Sequence, residues 1–459
     1  MTSDPAPVSG AAARPIRIGL LGCGNVGAAL VELIDQQRSA IAARSGLDLQ
    51  IVRVAVRNAS KDRGVALDGL LTTDAAEVVG ADDVDLVVEV IGGIEPARQL
   101  VADALAAGKP VVTANKELLA NVGNELYAGA DRAGVDLLFE AAVAGAIPLM
   151  RPLRESLLGE PITRILGIVN GTTNYILSRM TDDGVSYQEA LAEAQSLGFA
   201  ERDPTADVEG YDAGAKVAIM ATLAFGSSVV AGDVYHEGIG SITSSDVAHA
   251  RHLGFVIKPV AIAESVGGPD GPEVAVRVHP AMIAEDHPLA SVNGSFNAVF
   301  IEGGAVGDLM LYGRGAGGMP TASAVLGDVI DAAANLQRGA AAPLGSFGRA
   351  RIRPIDQVRS AYYINIDVAD EPGVLAQVAE IFGRHQVSIR SMEQEGLEAA
   401  ETGASHVVDP PSSVPSEARI VFITHAAVEA DVQATLHDLR LLDAVDRIGT
   451  VLRVIGVED

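Results

Sequence analysis

"IRIGLLGCGNVGAALVELIDQQ", residues 16–37, decides the fold of this chain. A short apolar run leads through a glycine-rich turn into a segment whose apolar residues recur at helical spacing, which predicts strand, turn, helix. Gly22, Gly24 and Gly27 form a GxGxxG pattern. The first glycine suits a tight turn, the second lets the backbone approach a pyrophosphate, and the third lets the helix pack closely on the strand. With Asn25 and Val26 between them, they form the candidate phosphate cradle of a dinucleotide. Working outward, continuous Val- and Leu-rich runs at 49–58, 84–93, 110–116 and 135–145 read as four more strands, buried on both faces of a parallel sheet. Segments 95–110 and 117–134 supply crossover helices. Residues 16–150 therefore read as an α/β domain with a Rossmann-type doubly wound parallel sheet.

The end of the second strand bears on the cofactor. An acidic residue there would bind both ribose hydroxyls, but this chain has Arg57, with Lys61 four residues on. Cations at that place suit a 2'-phosphate and favour NADP, with NAD as the alternative. The plainer reading is that both are solvated loop charges.

Composition narrows the rest. A chain of 459 residues predicts two to four domains. Its formal net charge of -27 repels polyanions, which argues against nucleic-acid and anionic-membrane partners. The single cysteine, Cys23, excludes an internal disulfide and a cysteine-rich zinc site. It lies inside the glycine-rich turn with no basic activator in sight, so no acyl-enzyme thiol is expected. His249 and His252 have no carboxylate at ligand spacing and read as surface or interface residues. No apolar run reaches about 18 residues, so no membrane span is expected. Residues 1–15 read as a loose tail without the apolar core of a signal peptide, and the expected location is cytoplasmic.

Beyond residue 150 the pattern changes. Strand-like pieces at 273–280 and 296–304 mix with helical stretches around 187–226, which suits an α+β substrate domain over 151–340. A long helix is expected at 320–337, returning to the first domain. An Arg- and Pro-containing linker, 341–360, precedes a strand-helix-strand-strand-helix-strand pattern over 361–459, the ferredoxin-like order. Within it, the Ser- and Pro-rich stretch 397–417 reads as a mobile loop.

The segment "AERDPTADVEGYDAGAK", residues 200–216, raises the question of chemistry. Asp212 and Lys216 share a helix face at four-residue spacing, and on most helices such a pair is a surface ion pair. The helix that follows is apolar nearly all round, which implies burial. A buried lysine needs a partner or a function. Glu201, Asp207 and Asp212 all precede Lys216 in a stretch bent by Pro204 and Gly210.

Taken together, these motifs resemble the homoserine dehydrogenase family. The resemblance rests on "AEAQSLGFAERDPTADVEGYDAGAK" (192–216), where Gly198, Asp203, Pro204, Asp207, Gly210, Asp212 and Lys216 stand in the family's order and spacing. It extends to "GCGNVG", "VIGG" (90–93), "TANK" (113–116), "EAAVAGAIP" (140–148), "GIVNGTTNYIL" (167–177), "VYHEGIGSIT" (234–243) and "GRGAGGMPTASAV" (313–325). The last hundred residues resemble an ACT domain.

What the resemblance implies is reversible reduction of L-aspartate 4-semialdehyde to L-homoserine by NAD(P)H, on the way to threonine and methionine. It points to Lys116 and Lys216 as active-site lysines, with Asp212 beside Lys216, and leaves open which lysine donates the proton. Glu201, Asp207 and Thr173 match substrate-binding positions; Thr172 and Thr173 also suit a helix cap. Gly92 and Lys116 join the cofactor set. Backbone carbonyls of Glu140, Val143, Gly145 and Ile147 match a loop that holds a monovalent cation, sodium or potassium. L-threonine is the expected effector of the ACT segment. A homodimer or homotetramer formed through the substrate domain is expected. With about fifteen residues before the first strand, no preceding aspartate kinase segment is expected. Two other readings are a dehydrogenase centred on histidine, as in phosphoglycerate or prephenate dehydrogenases, and a noncatalytic NADP-binding sensor. The lysine motifs speak against the first and the full set of pocket charges against the second.

Overall fold

The computed structural model describes residues 15–268, 271–345, 347–397 and 417–456. The tail expected at 1–15 and the loop expected at 397–417 lie almost wholly outside these residues. In chain order the first elements are β1 (Ile16–Leu21), α1 (Asn25–Ser45), β2 (Leu49–Ala55), β3 (Leu71–Thr72), α2 (Ala75–Gly80), β4 (Leu86–Glu89), α3 (Ala97–Ala106), β5 (Val111–Thr113), α4 (Lys116–Ala133) and β6 (Leu137–Leu138). Next come α5 (Met150–Arg154), β7 (Ile162–Ile168), α6 (Gly171–Asp183), α7 (Tyr187–Ser196), α8 (Thr205–Val208), α9 (Tyr211–Phe225), β8 (Ser227–Ser228) and β9 (Tyr235–His236). They are followed by α10 (Ser244–His252), β10 (Phe255–Gly268), β11 (Gly271–Ala284), β12 (Phe296–Gly303), β13 (Gly307–Arg314), α11 (Gly318–Arg338) and β14 (Gly348–Arg349). The chain closes with β15 (Arg359–Ala369), α12 (Val374–Arg384), β16 (Ile389–Leu397), β17 (Glu417–Thr424), β18 (Ala427–Val428), α13 (Glu429–Arg440) and β19 (Val445–Ile455).

Contacts divide the chain into two compact units: residues up to 165 with 215–234 and 297–350, and residues 166–214 with 235–296 and 351 onward. In the first unit, six parallel strands run in the order β3-β2-β1-β4-β5-β6, the doubly wound arrangement. All four residues of β4 are buried, as a strand covered on both faces requires. Helix α11 packs on α1, and Val325, Val329 and Ala332 join Leu20, Leu30 and Ile34 in one core. Each large aliphatic side chain buried there stabilises the fold by about 1.5–3 kcal/mol.

Two details differ from the sequence reading. Strand β3 is additional; at two residues it is too short to show a period. The run 135–145, read as one strand, holds only β6 and then a 3-10 turn at Glu140–Ala142. The Glu140 carboxylate accepts backbone N–H groups of Leu149, Met150 and Arg151, nine to eleven residues on, and that capture turns the chain out of the sheet.

In the second unit β10 and β11 form a long antiparallel hairpin. Strand β11 pairs in parallel with β19, and the order continues β19-β15-β17-β16 with antiparallel neighbours. Helices α12 and α13 cover these strands with Val378, Phe382, Val432 and Leu436 against Tyr362, Ile364 and Phe422. This is the ferredoxin-like order that the C-terminal pattern predicts. Among the described residues, no helix is long and apolar enough to cross a membrane.

Candidate functional site

The glycine-rich turn sits between β1 and α1. Gly22 has φ +96, and a Cβ at Gly27 would lie 2.4 Å from the Gly22 carbonyl oxygen, so a side chain at either position would disturb the turn. A Cβ at Gly24 would meet nothing within 4 Å. Gly24 also caps α1 without a side-chain hydrogen bond. The leading N–H groups of this helix are thus not capped by a side chain, which fits them to an anionic pyrophosphate. Asn25 is exposed and Val26 half-buried at the head of the helix. Cys23 is buried, and burial raises its thiol pKa, which keeps it inert.

Arg57 and Lys61 both lie exposed in the loop after β2. Between them and the turn stands Arg63, which the sequence reading passed over. Its guanidinium donates to the Cys23 carbonyl at 3.2 Å and to the carbonyls of Lys61 and Asn58. It ties that basic loop to the glycine-rich turn.

Gly92 and Lys116 lie at the C-terminal ends of β4 and β5, where α/β sheets bind ligands. Glu89, fully buried, fastens these two ends together. Its carboxylate accepts N–H groups of Ile91 at 2.7 Å and Gly92 at 3.2 Å, and the Thr113 hydroxyl at 2.5 Å. Asn115 donates to the Gly93 carbonyl at 2.6 Å and caps α4 by accepting the Leu118 N–H at 3.1 Å. Lys116, half-buried, is therefore the first residue of a helix with a fixed start.

Val143, Gly145 and Ile147 are buried in the loop after Glu140. Ala144 and Gly145 take left-handed φ values of 56 and 57. A Cβ at Gly145 would lie 2.4 Å from the Gly315 carbonyl oxygen, so the loop is tightly packed there. The Glu140 side chain is committed to the start of α5, and its own N–H donates to Asp328 at 2.7 Å. Burial pushes the Asp328 carboxyl up to about 7 against the opposing pull of that N–H and of Arg151.

In the second unit Asn170 organises the acidic cluster. It caps α6: its side-chain oxygen accepts the Thr173 N–H and hydroxyl, both at 2.9 Å. Its amide nitrogen donates to Asp207 at 2.6 Å and Asp212 at 3.0 Å. The cap expected at Thr172 or Thr173 is thus supplied by Asn170, while Thr172 donates to the Phe199 carbonyl at 2.7 Å. Asp207 is carried by the short α8 and Asp212 by the first turn of α9; Lys216, one turn further along that helix, falls among the residues of the first unit. Lys216 is half-buried rather than buried as the apolar helix suggested.

A small cavity in this unit is walled by Asn170, Thr173, Asp207, Glu237, Pro259 and His279. Glu201 is exposed and does not line it. Two wall residues escaped the sequence reading. His279 is buried; its Nδ1 donates to the Pro280 carbonyl at 3.0 Å, and Nε2 has no partner among the described residues. Burial, with the charges of Arg453 and Arg277, holds its pKa well below normal, so the ring is neutral and Nε2 is an acceptor. Glu237 accepts from the Tyr235 hydroxyl at 2.7 Å and from Arg453 at 2.8 Å. The sequence signal for His279 was a polar residue between Val278 and Pro280, and for Glu237 only its place in the family stretch 234–243. His252 is largely exposed, 3.7 Å from Glu393, as a surface residue should be. Among the described residues no cluster of His, Cys, Asp and Glu suits a metal ion.

The family model for the homoserine dehydrogenase NAD binding domain matches residues 22–140, that for homoserine dehydrogenase residues 148–330, and that for the ACT domain residues 362–444. The homoserine dehydrogenase of Mycobacterium tuberculosis is 47% identical over 445 residues, covering 96% of this chain and 98% of that one. A crystal structure of a homoserine dehydrogenase from Thiobacillus denitrificans superposes with a TM-score of 0.87 at 39% identity, covering 96% of this chain and 99% of that one. A hyperthermophilic archaeal homoserine dehydrogenase solved in complex with NADPH gives a TM-score of 0.60 at 28% identity, covering 70% of this chain and 98% of that one. On this fold and these matches, the chain belongs to the homoserine dehydrogenase family and is a nicotinamide-dependent oxidoreductase acting on a CH–OH group.

Proposed function

We propose that this chain reduces L-aspartate 4-semialdehyde to L-homoserine, reversibly and preferentially with NADPH, in threonine and methionine biosynthesis. The observation that carries the reading is the Asn170 amide gathering Asp207 and Asp212 one helical turn before Lys216. The nicotinamide, when bound, supplies the hydride for the aldehyde carbon. Its phosphates are cradled by Gly22, Gly24, Asn25, Val26 and Gly27, with Gly92 and Lys116 completing the set and Arg57 and Lys61 receiving the 2'-phosphate.

Asp207 anchors the substrate's ammonium group, which aldehyde and alcohol share, with Thr173 on the same wall, and Glu201 adds its negative charge from the exposed segment before α8, outside that wall. Anchoring the unreactive end orients the carbonyl and lowers the entropic part of the barrier. A lysine ammonium, Lys216 or Lys116, stabilises the negative charge growing on the carbonyl oxygen and delivers the proton. Asp212 orients Lys216. Carbonyls of Glu140, Val143, Gly145 and Ile147 offer hard oxygen ligands to sodium or potassium. The ACT segment takes L-threonine as a feedback inhibitor, and the enzyme works as a homodimer or homotetramer.

Initial rates of NADPH and NADH oxidation with the semialdehyde, with and without L-threonine, test this reading. Turnover, faster at low cofactor concentration with NADPH and reduced by threonine, is the expected result. Folded protein that binds NADPH without turning over the semialdehyde overturns it.

A further inference from the structure

The last strand reaches the cavity wall through one buried arginine. Arg453 lies on β19 in register with Ala281 of β11 on one side and Tyr362 of β15 on the other. The residue is 4% exposed. One arm of the guanidinium donates to Glu237 at 2.8 Å, while the other arm and Nε donate to a single oxygen of Glu429 at 2.7 and 3.2 Å. The rings of Tyr235 and Tyr362 lie 5.6 and 5.8 Å from its central carbon, within cation–π range. Each hydroxyl also serves a carboxylate: Tyr235 donates to Glu237 and Tyr362 to Glu429. Glu429 begins α13, where Gln433 donates to its other oxygen at 2.8 Å. One cation thus joins two carboxylates from distant parts of the chain, one on the cavity wall and one on an ACT helix.

Glu237 has little freedom to move alone. Its N–H donates to the Val278 carbonyl at 2.8 Å, and the Ile239 N–H donates to the Val208 carbonyl at 3.0 Å, next to Asp207. A Cβ at Gly238 would lie 2.7 Å from Glu209, so residues 237–239 are packed directly on the turn that bears Asp207. Buried ion pairs are weak evidence of net stability, because desolvation offsets the attraction. A pair that reaches a binding wall has another use: it sets where that wall stands.

We propose that Arg453 is a positioning residue of the substrate pocket, holding Glu237 and through residues 237–239 the turn of Asp207, so that the packing of Glu429 on α13 sets substrate affinity. This rests on the assignment of Asp207 to substrate binding made above. It gives the ACT segment a physical path to the pocket: whatever shifts α13 pulls on Glu429, changes the guanidinium's hold on Glu237, and loosens or tightens the Asp207 turn.

Arg453→Lys tests it, because lysine keeps the charge but not the planar fork that reaches two carboxylates. The expected result is a rise in KM for L-homoserine of about tenfold, typical of coupled sites, with kcat and the KM for the cofactor little changed. Glu429→Gln, nearly isosteric and not itself a lining residue of the cavity, should move KM in the same selective way and serves if Arg453→Lys does not fold. Amide hydrogen exchange at Glu237 and Ile239 gives a readout independent of turnover and should quicken in either folded variant. Wild-type exchange at these amides, or KM values equal to wild type, would overturn the proposal. A wild-type protein inert toward homoserine would instead overturn the functional reading, leaving exchange to decide this one.

Discussion

Glu140 in the first unit commits both carboxylate oxygens to backbone N–H groups, and Glu89 commits one oxygen to two such groups and the other to the Thr113 hydroxyl, whereas Asp207 and Asp212 in the second unit are drawn together by a side-chain amide. The first kind of carboxylate fixes a loop, since each backbone bond it accepts removes a conformational choice. The second kind stays partly exposed, and Asp207 of the two lines a cavity. Acidic residues in this chain thus divide by partner, and the partner indicates whether shape or chemistry suffers when the acid is lost.

The sharpest way to break that division is on the chemical side. Lys216→Ala should lower kcat by about 10²–10⁴-fold, the range of a lost general acid, while its thermal midpoint stays near wild type. A folded variant with an ordinary rate would place the chemistry elsewhere. On the structural side, Glu89→Ala leaves two N–H groups and the Thr113 hydroxyl without their acceptor, and urea denaturation should show a loss of about 3 kcal/mol. A loss confined to activity, with stability intact, would move Glu89 into the chemical class.

Asp328 sharpens the comparison through pH. Its carboxyl, pushed up to about 7 by burial, stands above the unfolded value of about 4. Between those values the native state holds a proton that the unfolded chain does not, so this group's contribution to stability falls as pH rises through that window, by up to about 1.4 kcal/mol per pH unit. Above the window the effect levels off. Asp328→Asn should flatten that part of the denaturation profile, and an unchanged slope would show that the group is already ionised.

Much of this was legible from sequence. Gly22, Gly24 and Gly27 announced the turn because its requirements are local, and the Val-rich strands announced a sheet covered on both faces. The acidic stretch before Lys216 also stood out, since its residues lie close in the chain. Asn170, Glu237 and Arg453 did not, because their meaning is set by partners far away: Arg453 meets Glu237 across 216 positions. The run 135–145 reads as a longer strand than it forms for a different reason: the Glu140 side chain takes up backbone groups of residues 149–151, which leaves no trace in local periodicity.

The most direct test of the claim that this acidic cluster recognises the amino-acid end of the substrate is calorimetric binding of L-homoserine to the protein loaded with oxidised cofactor. Asp207→Asn should weaken binding by about 10–100-fold, the cost of losing a charge-assisted contact, with cofactor affinity unchanged. Equal homoserine affinity in wild type and Asp207→Asn would contradict the account.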